Sequence, residues 1–434
     1  MDSFTTEQDV RREAIRRHLQ GEKPRDICRD LGRSPRWFDK WWAEYRRNPH
    51  TDFADRSRAP HTSPHQTPAS VEQAIVTARW TLEAAQTPDT KYGLIGAHAV
   101  HGHLERLGIG PLPSDPTIQR ILARHDQTHP VGAGSDSAYY PWPVAWTVNA
   151  IHATDIITRY VHGGEEIDNF HTIDLYSHAV HLTQQADKSS ATTCAHLLKT
   201  WANLGLPLMQ QLDNEAAFCG GHTHPHVIGR VVRLCLFCGI EPIFTPFYEA
   251  KRNYQIETFH SLWEAGFWSR EEFTGLVHVQ AEAPTFAHWY HTIYQPPALQ
   301  GKTPAQMRRG IRIMRLTTDR RRLIPIEGLP ITAGRIHFMR KVDTTGHIEF
   351  LNETWLVGPK WMGEYVRATV DTAQQTLTLW HQADAEADWR LIKTRQFRLK
   401  ETVHAVLPQF RRNSARCRDQ WPGYNSGQKR RTML

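Results

Sequence analysis

Asp155, Asp213 and Glu257 are the side chains of this 434-residue chain whose surroundings point most directly to chemistry. Asp155 sits in a β-rich run, His152-Ala153-Thr154-Asp155-Ile156-Ile157-Thr158. Asp213 ends an apolar stretch and opens Asp213-Asn214-Glu215-Ala216-Ala217-Phe218. Glu257 lies in a helix-like run, Asn253-Tyr254-Gln255-Ile256-Glu257-Thr258-Phe259-His260. Mg²⁺ is a hard cation that takes carboxylate and phosphate oxygens. Two such ions about 4 Å apart hold both the attacking and the leaving oxygen of a phosphodiester displacement. Two strand ends and one helix, each giving a carboxylate, can build that clamp. Asp174 competes with Asp155 for the first place, and Glu264 lies two turns beyond Glu257. The bland reading makes Asp155 a surface strand carboxylate and Asp213-Asn214 a turn word. Cys235-Leu236-Phe237-Cys238 has the spacing of a zinc pair, with Cys219, His222, His224 and His226 upstream. It falls inside an apolar run, where free Cys acts as a small hydrophobe.

The elements that must position these groups follow from periodicity and breakers. Residues 7–19, 24–31 and 35–46 read as three helices. Gly21 and Gly32 punctuate them, Ser34 is an N-cap and Pro35 suits the first helical position. That is a helix-turn-helix plan with the third helix as reader. Arg33, Arg36, Lys40, Arg46 and Arg47 are its candidate DNA contacts, against the alternative of a solvated basic face. Pro49 to Pro68 reads as a linker carrying Arg56-Ser57-Arg58. A second helical unit places helices at 71–82, 95–107 and 116–125, with Ser114 as a cap and Thr117, Gln119, Arg120 and Arg124 aimed at DNA. Strands near 147–161, 166–175 and 178–186 precede a helix at 189–203, a strand at 207–212, a helix at 225–239 and a strand at 241–245. Beyond Arg322 the pattern alternates with a period of two, with strands at 335–342, 347–351, 354–357, 365–370 and 377–380. Lys341, Lys360, Arg367 and Arg390 there add candidate DNA contacts.

The words from about Ala145 to Gln306 resemble, in order, the catalytic core of DDE integrases and insertion-sequence transposases. They are the strand with Asp155, then Asp174-Leu175-Tyr176-Ser177-His178, then Leu204-Gly205-Leu206-Pro207. The Asp213 word follows, then Thr245-Pro246, Arg252-Asn253 with Glu257, and Tyr290 through Leu299-Gln300-Gly301-Lys302-Thr303-Pro304. The basic linker and the second helical unit resemble elements of the same family. Glu215 and Tyr254 stand where the family has Gly, and His178 where it has Arg. Forty-three residues separate Asp213 from Glu257, a longer interval than usual, with the surplus in a loop-like stretch at 219–226.

The resemblance implies a multidomain protein with all-α helix-turn-helix units, an α/β RNase H-like core and a small SH3-like β-barrel. The expected boundaries are 1–48 for the first helix-turn-helix domain, 49–68 for the basic linker and 69–128 for the second. The integrase core spans 140–310, the barrel 330–402 and a basic, unstructured tail 403–434. The resemblance also implies Asp155, Asp213 and Glu257 as catalytic residues and ligands of two Mg²⁺ ions, with Mn²⁺ as substitute. Asp155 would bridge both. Lys251, Arg252 and Asn253 would meet the DNA backbone or steady Glu257. The implied function is a transposase that binds terminal inverted repeats and cleaves and joins DNA, with target DNA as second partner, acting as a dimer or larger homo-oligomer. The alternative is a catalytically decayed or domesticated DNA-binding protein acting as repressor or architectural factor.

Composition agrees with a polyanionic partner. Fifty-two Lys and Arg against 45 Asp and Glu leave a net charge of +7, which favours nucleic acid. Six scattered Cys make no disulfide framework. No apolar run approaches the 18 or so residues of a membrane span. The expectation is a cytoplasmic, nucleoid-associated protein without a membrane partner.

Overall fold

The computed structural model describes residues 6–55, 67–125, 127, 138–219 and 227–411. They divide into two compact units, one up to Thr67 and one from Pro68 onward.

The first unit holds α1 (Glu7–Leu19), α2 (Pro24–Asp30) and α3 (Pro35–Arg47). Ser34 accepts the Trp37 N–H at 3.2 Å, and Pro35 fills the first helical position, as the sequence predicts. Ala14, Ile15, Ile27, Phe38 and Trp41 close a small core. A core of that size leaves little margin, so the cap and the aromatic contacts around Trp41 weigh heavily.

The second unit opens with α4 (Ala69–Ala84), α5 (Ala97–Arg106) and α6 (Asp115–Arg124), packed through Ile75, Leu82, Val100, Leu104, Ile118 and Ile121. Ser114 is at the N-cap position of α6 but makes no capping bond. Its hydroxyl meets that of Thr117 at 3.3 Å. Asp115 ties the helix to α5 instead, through His98 (2.8 Å) and His101 (2.5 Å).

The core follows in the predicted order. Strands β1 (Ile151–Tyr160), β2 (Glu166–Asp174) and β3 (Val180–Gln185) form an antiparallel meander. Helix α7 (Ser190–Asn203) leads to β4 (Met209–Leu212), which pairs in parallel with β1. The short α8 (Ala216–Cys219) and α9 (Arg230–Phe237) precede β5 (Glu241–Phe244), parallel to β4. Then come α10 (Tyr254–Gly266) and α11 (Leu276–Thr292). The resulting order β5-β4-β1-β2-β3 is the RNase H-like arrangement. Cys235 and Cys238 are fully buried in the apolar cluster around α9, which is the hydrophobic reading of that pair. Cys219 is the last residue of α8; His222, His224 and His226 lie outside the described residues.

The C-terminal part is rich in strands, as expected: β6 (Ile331–Thr332), β7 (Arg335–Lys341), β8 (His347–Phe350), β9 (Glu353–Leu356), β10 (Tyr365–Asp371), β11 (Thr376–His381), β12 (Arg390–Gln396) and β13 (Val403–His404). It does not stand apart from the core. Strand β7 pairs in parallel with β5, Ile243 opposite His337 and Phe244 opposite Phe338, so one nine-stranded sheet runs from β12 to β3. The reason is apolar burial: Phe244 stacks on Phe338 with centroids 5.1 Å apart, and one cluster joins α7 and α9 to β7, β10 and β11.

Candidate active site

Register explains how two distant carboxylates meet. Strand β1 pairs with β4 as Ile151–Met209, His152–Gln210 and Ala153–Gln211. Extending that offset by two residues sets Asp155 beside Asp213, on strands about 4.8 Å apart. Asp155 accepts the Ile156 N–H at 2.9 Å, and Asp213 accepts the Glu215 N–H at 2.9 Å, which fixes the direction of both carboxylates. Burial pushes the Asp155 carboxyl up to about 8, with further upward contributions from the charges of Asp213, Glu257 and Glu215. Burial likewise pushes Asp213 up to about 6, opposed by the Glu215 N–H, reinforced by the Glu215 charge and opposed by Lys188. The charge of Glu257 on α10 is also felt at Asp155.

The donor set is all oxygen, suited to a hard cation, and its mutual repulsion is of the kind that a cation relieves. Among the described residues, no three His, Cys, Asp or Glu side chains are arranged to hold one ion.

Asp174 is excluded from the first role by its partners. Its side chain is fully buried against Arg308 (2.8 Å), Ser177 and the Asn149 N–H (3.1 Å). Arg308 also reaches the Leu204 carbonyl, which Asn149 Nδ2 meets at 2.9 Å. The Asp174 and Leu204 words are therefore one clamp, with Arg308 supplying a guanidinium from another part of the chain than His178. Gly205 is required there: its φ is +100°, and a Cβ would come within 2.5 Å of Asn149 Nδ2. Thr303 and Gln306 form a capping box at the start of α12 (Pro304–Met307), which aims Arg308 inward.

Glu264, two turns beyond Glu257 on α10, pairs with Arg159 at 2.7 Å. Asn253 accepts the Gln211 amide at 2.6 Å, joining α10 to β4. Arg252 is engaged by the protein: it meets Glu249 (2.7 Å) and the Tyr365 hydroxyl (2.8 Å) and lies over the rings of Tyr140 and Tyr365. Nothing is described of the Lys251 side chain.

Two site residues escaped the sequence reading. His260, one turn past Glu257, has Nδ1 3.8 Å from Asp155; burial, then the Arg159 charge, pushes its pKa down to about 3. Its spacing from Glu257 was the available signal. Arg340 on β7 donates to Asn214 Oδ1 and to the Thr245 carbonyl, both at 2.7 Å, and so steadies the loop that carries Asp213. Nothing local in the sequence marks that role.

The candidate DNA contacts divide by exposure. Arg36 and Lys40 are exposed on α3, while Arg33 is bound to Glu7. Gln119 and Arg120 are exposed on α6, Thr117 is half-buried, and Arg124 pairs with Glu72 at 2.7 Å. Arg56 and Arg58 lie outside the described residues. Lys341, Lys360 and Arg390 are exposed, but Arg367 is buried against Trp389, 4.1 Å from its ring centroid, and cannot face DNA.

Residues 5–49 match the family of Homeodomain-like domains. No curated protein matches the chain. Among solved structures, the simian T-cell lymphotropic virus intasome in complex with PP2A regulatory subunit B56 gamma is similar at 14% identity, covering 70% of this chain and 96% of that one, with TM-score 0.34. The HTLV-2 integrase catalytic core in complex with magnesium, dimeric form, is 17% identical over 37% of this chain and 97% of its own, with TM-score 0.29. The BIV integrase catalytic core is 14% identical over 37% and 93%, with TM-score 0.28. Strand order, register and the N-terminal match together identify a Homeodomain-like domain followed by a mixed α/β core of RNase H-like order.

Proposed function

We propose that this chain is a DDE-type polynucleotidyl transferase, a transposase that binds the inverted repeats of a DNA element, cuts at its ends and joins them to target DNA. The observation that carries the reading is the register that sets Asp155 beside Asp213, with the charge of Glu257 felt at Asp155. The similar HTLV-2 integrase cores are in complex with magnesium, which agrees with Mg²⁺ here; Mn²⁺ would be its substitute. Two such ions would lower the pKa of the attacking water or 3′-hydroxyl and stabilise the departing 3′-oxygen. Asp155 would serve both ions, Asp213 and Glu257 mainly one each. The chain's own residues do the rest. Ile156 and Glu215 N–H groups orient the carboxylates, Arg340 and Asn214 hold the loop after β4, and Gln211 and Asn253 set α10 against it. No covalent protein–DNA intermediate is needed.

Arg36 and Lys40 on α3, Gln119 and Arg120 on α6 and the linker's Arg56 and Arg58 would meet the element ends. Handling two ends together calls for a dimer or larger assembly. No helix among the described residues is long and apolar enough to cross a membrane; a nucleoid-associated setting in the cytoplasm suits the DNA partner.

Lys188 bound to Glu215 at 2.7 Å, where the family has Gly, and the open arrangement of the carboxylates favour a second reading, a DNA-binding protein without cleavage. Incubation of the protein with labelled DNA from the element's flanks, in Mg²⁺ and in Mn²⁺, separates the two. Nicked and joined products support the transferase. Tight binding of the ends without either product supports the rival.

A further inference from the structure

A cavity of about 500 Å³ lies where the start of α10 meets β4, lined by Trp142, Val144, Gln211, Arg252, Asn253 and Tyr254 among others. Its two aromatic side chains are left in contact with solvent, Tyr254 53% exposed and Trp142 37%. Their rings meet at 89° with centroids 5.0 Å apart, so one offers a face where the other offers an edge. Arg252 stands 5.8 Å from the Trp142 ring and is itself fixed by Glu249 and Tyr365, which holds the corner in place. The floor is polar: the buried amides of Gln211 and Asn253 share one hydrogen bond of 2.6 Å, and such a pair has donors and acceptors beyond that bond.

The cavity and the carboxylates share two elements. Tyr254 precedes Glu257 by three residues on α10, about 4.5 Å along the axis. Gln211 on β4 precedes Asp213, just past the end of that strand, by two residues, a span of at most about 6.6 Å. A group seated between Tyr254 and Gln211 therefore belongs within a nucleotide or two of a phosphate held by the carboxylates. Cavities of roughly this size admit one small flat group, and not a duplex.

We propose that this cavity receives a single unpaired nucleobase of the DNA end, turned out of the duplex beside the bond to be cut and stacked in the corner of Trp142 and Tyr254. The proposal rests on the transferase reading above and names a feature of its substrate. Aromatic rings hold any base by its π-face, and the amides of Gln211 and Asn253 read its edge. Tyr254, standing where the family has Gly, then has a function of its own.

The test uses the full chain and DNA ends carrying 2-aminopurine, either in a one-base overhang or paired in a blunt duplex. Binding is followed by the probe's fluorescence in EDTA, and cleavage is scored in parallel in Mn²⁺. The expected result is quenching of the overhang probe, with affinity for the overhang end falling about tenfold in Tyr254→Ala and in Trp142→Ala, and retained in Tyr254→Phe. Both rings are partly exposed, so thermal melts of the variants should match wild type; a variant that melts early is replaced by Tyr254→Leu, which keeps bulk and removes the ring. Unchanged probe fluorescence on wild type, or wild-type affinity for the overhang end in both Ala variants, overturns the proposal. Quenching without cleavage supports the base site while counting against the transferase reading; cleavage without quenching does the reverse.

Discussion

At the residue scale, the same burial that confines Asp155 makes it a cost to the fold. Its side chain is 17% exposed and its carboxyl is pushed up to about 8, against 3.8 for an ordinary Asp. The folded state thus keeps a proton that the unfolded chain has lost. Stability falls as pH rises from about 4 to about 8, and the penalty is absent below that window and full above it. Asp155→Asn should therefore raise the stability of the metal-free protein at pH 8, by roughly 2–5 kcal/mol, and leave it unchanged near pH 4. Melting curves in EDTA across that range check this; equal curves at pH 8 would contradict the crowding of the site. Asp174 predicts the opposite. Asp174→Asn or Arg308→Ala strands a buried charge and should cost about 3–5 kcal/mol in urea unfolding. The two aspartates look alike in sequence, each in a β-rich run. Only their partners, Arg308 and Ser177 for one and Asp213 for the other, separate a clamp from a site.

At the element scale, the reading of α1 to α3 from Gly21, Pro24, Gly32 and the Ser34–Pro35 start holds because those signals are local. The strands and helices from β1 to α10 were legible for the same reason, their apolar runs being bounded by breakers. Strand β12 was missed because its sequence, RLIKTRQ, is mostly polar and exposed; charge on an outermost strand blocks further pairing, and the polar run also erases the alternation. Helix α11 was missed because Pro284 interrupts an otherwise helical pattern. Arg36 and Lys40 stand four apart on the exposed side of α3, where they suit phosphate contacts. Arg36→Ala and Lys40→Ala should each weaken binding to any duplex and reduce the slope of log affinity against log salt by about 1. Filter binding at several salt concentrations reads both, and unchanged slopes would leave α3 as a solvated surface.

At the scale of the whole molecule, the sequence marks a break after Arg322 that folding removes. Period-two strands after a helical stretch read as a separate barrel, yet the Phe244–Phe338 contact and the shared cluster make the C-terminal strands part of the core sheet. Pairing between β5 and β7 spans about 90 positions, and no local pattern carries it. Arg340 makes the same point for the site, since a strand outside the resemblance holds Asn214. Truncation after Gly328 should therefore unmake the core, giving a chain that loses its cooperative melt and exposes apolar surface to dye. A truncated chain that melts like the whole would show the C-terminal strands to be independent. The departures at Glu215 and Tyr254 were visible in sequence, but their consequences, an ion pair with Lys188 and a wall of a cavity, required the fold.

The most direct measurement is a cleavage and joining assay on labelled element-end DNA in Mg²⁺ and Mn²⁺, with wild type beside Asp155→Asn, Asp213→Asn and Glu257→Gln. The account predicts joined products from wild type, loss of at least a hundredfold in each variant (about 2.7 kcal/mol at 1.36 kcal/mol per tenfold), and end binding kept in all. Tight binding by wild type with no product in either metal, or full activity in any one variant, would contradict it.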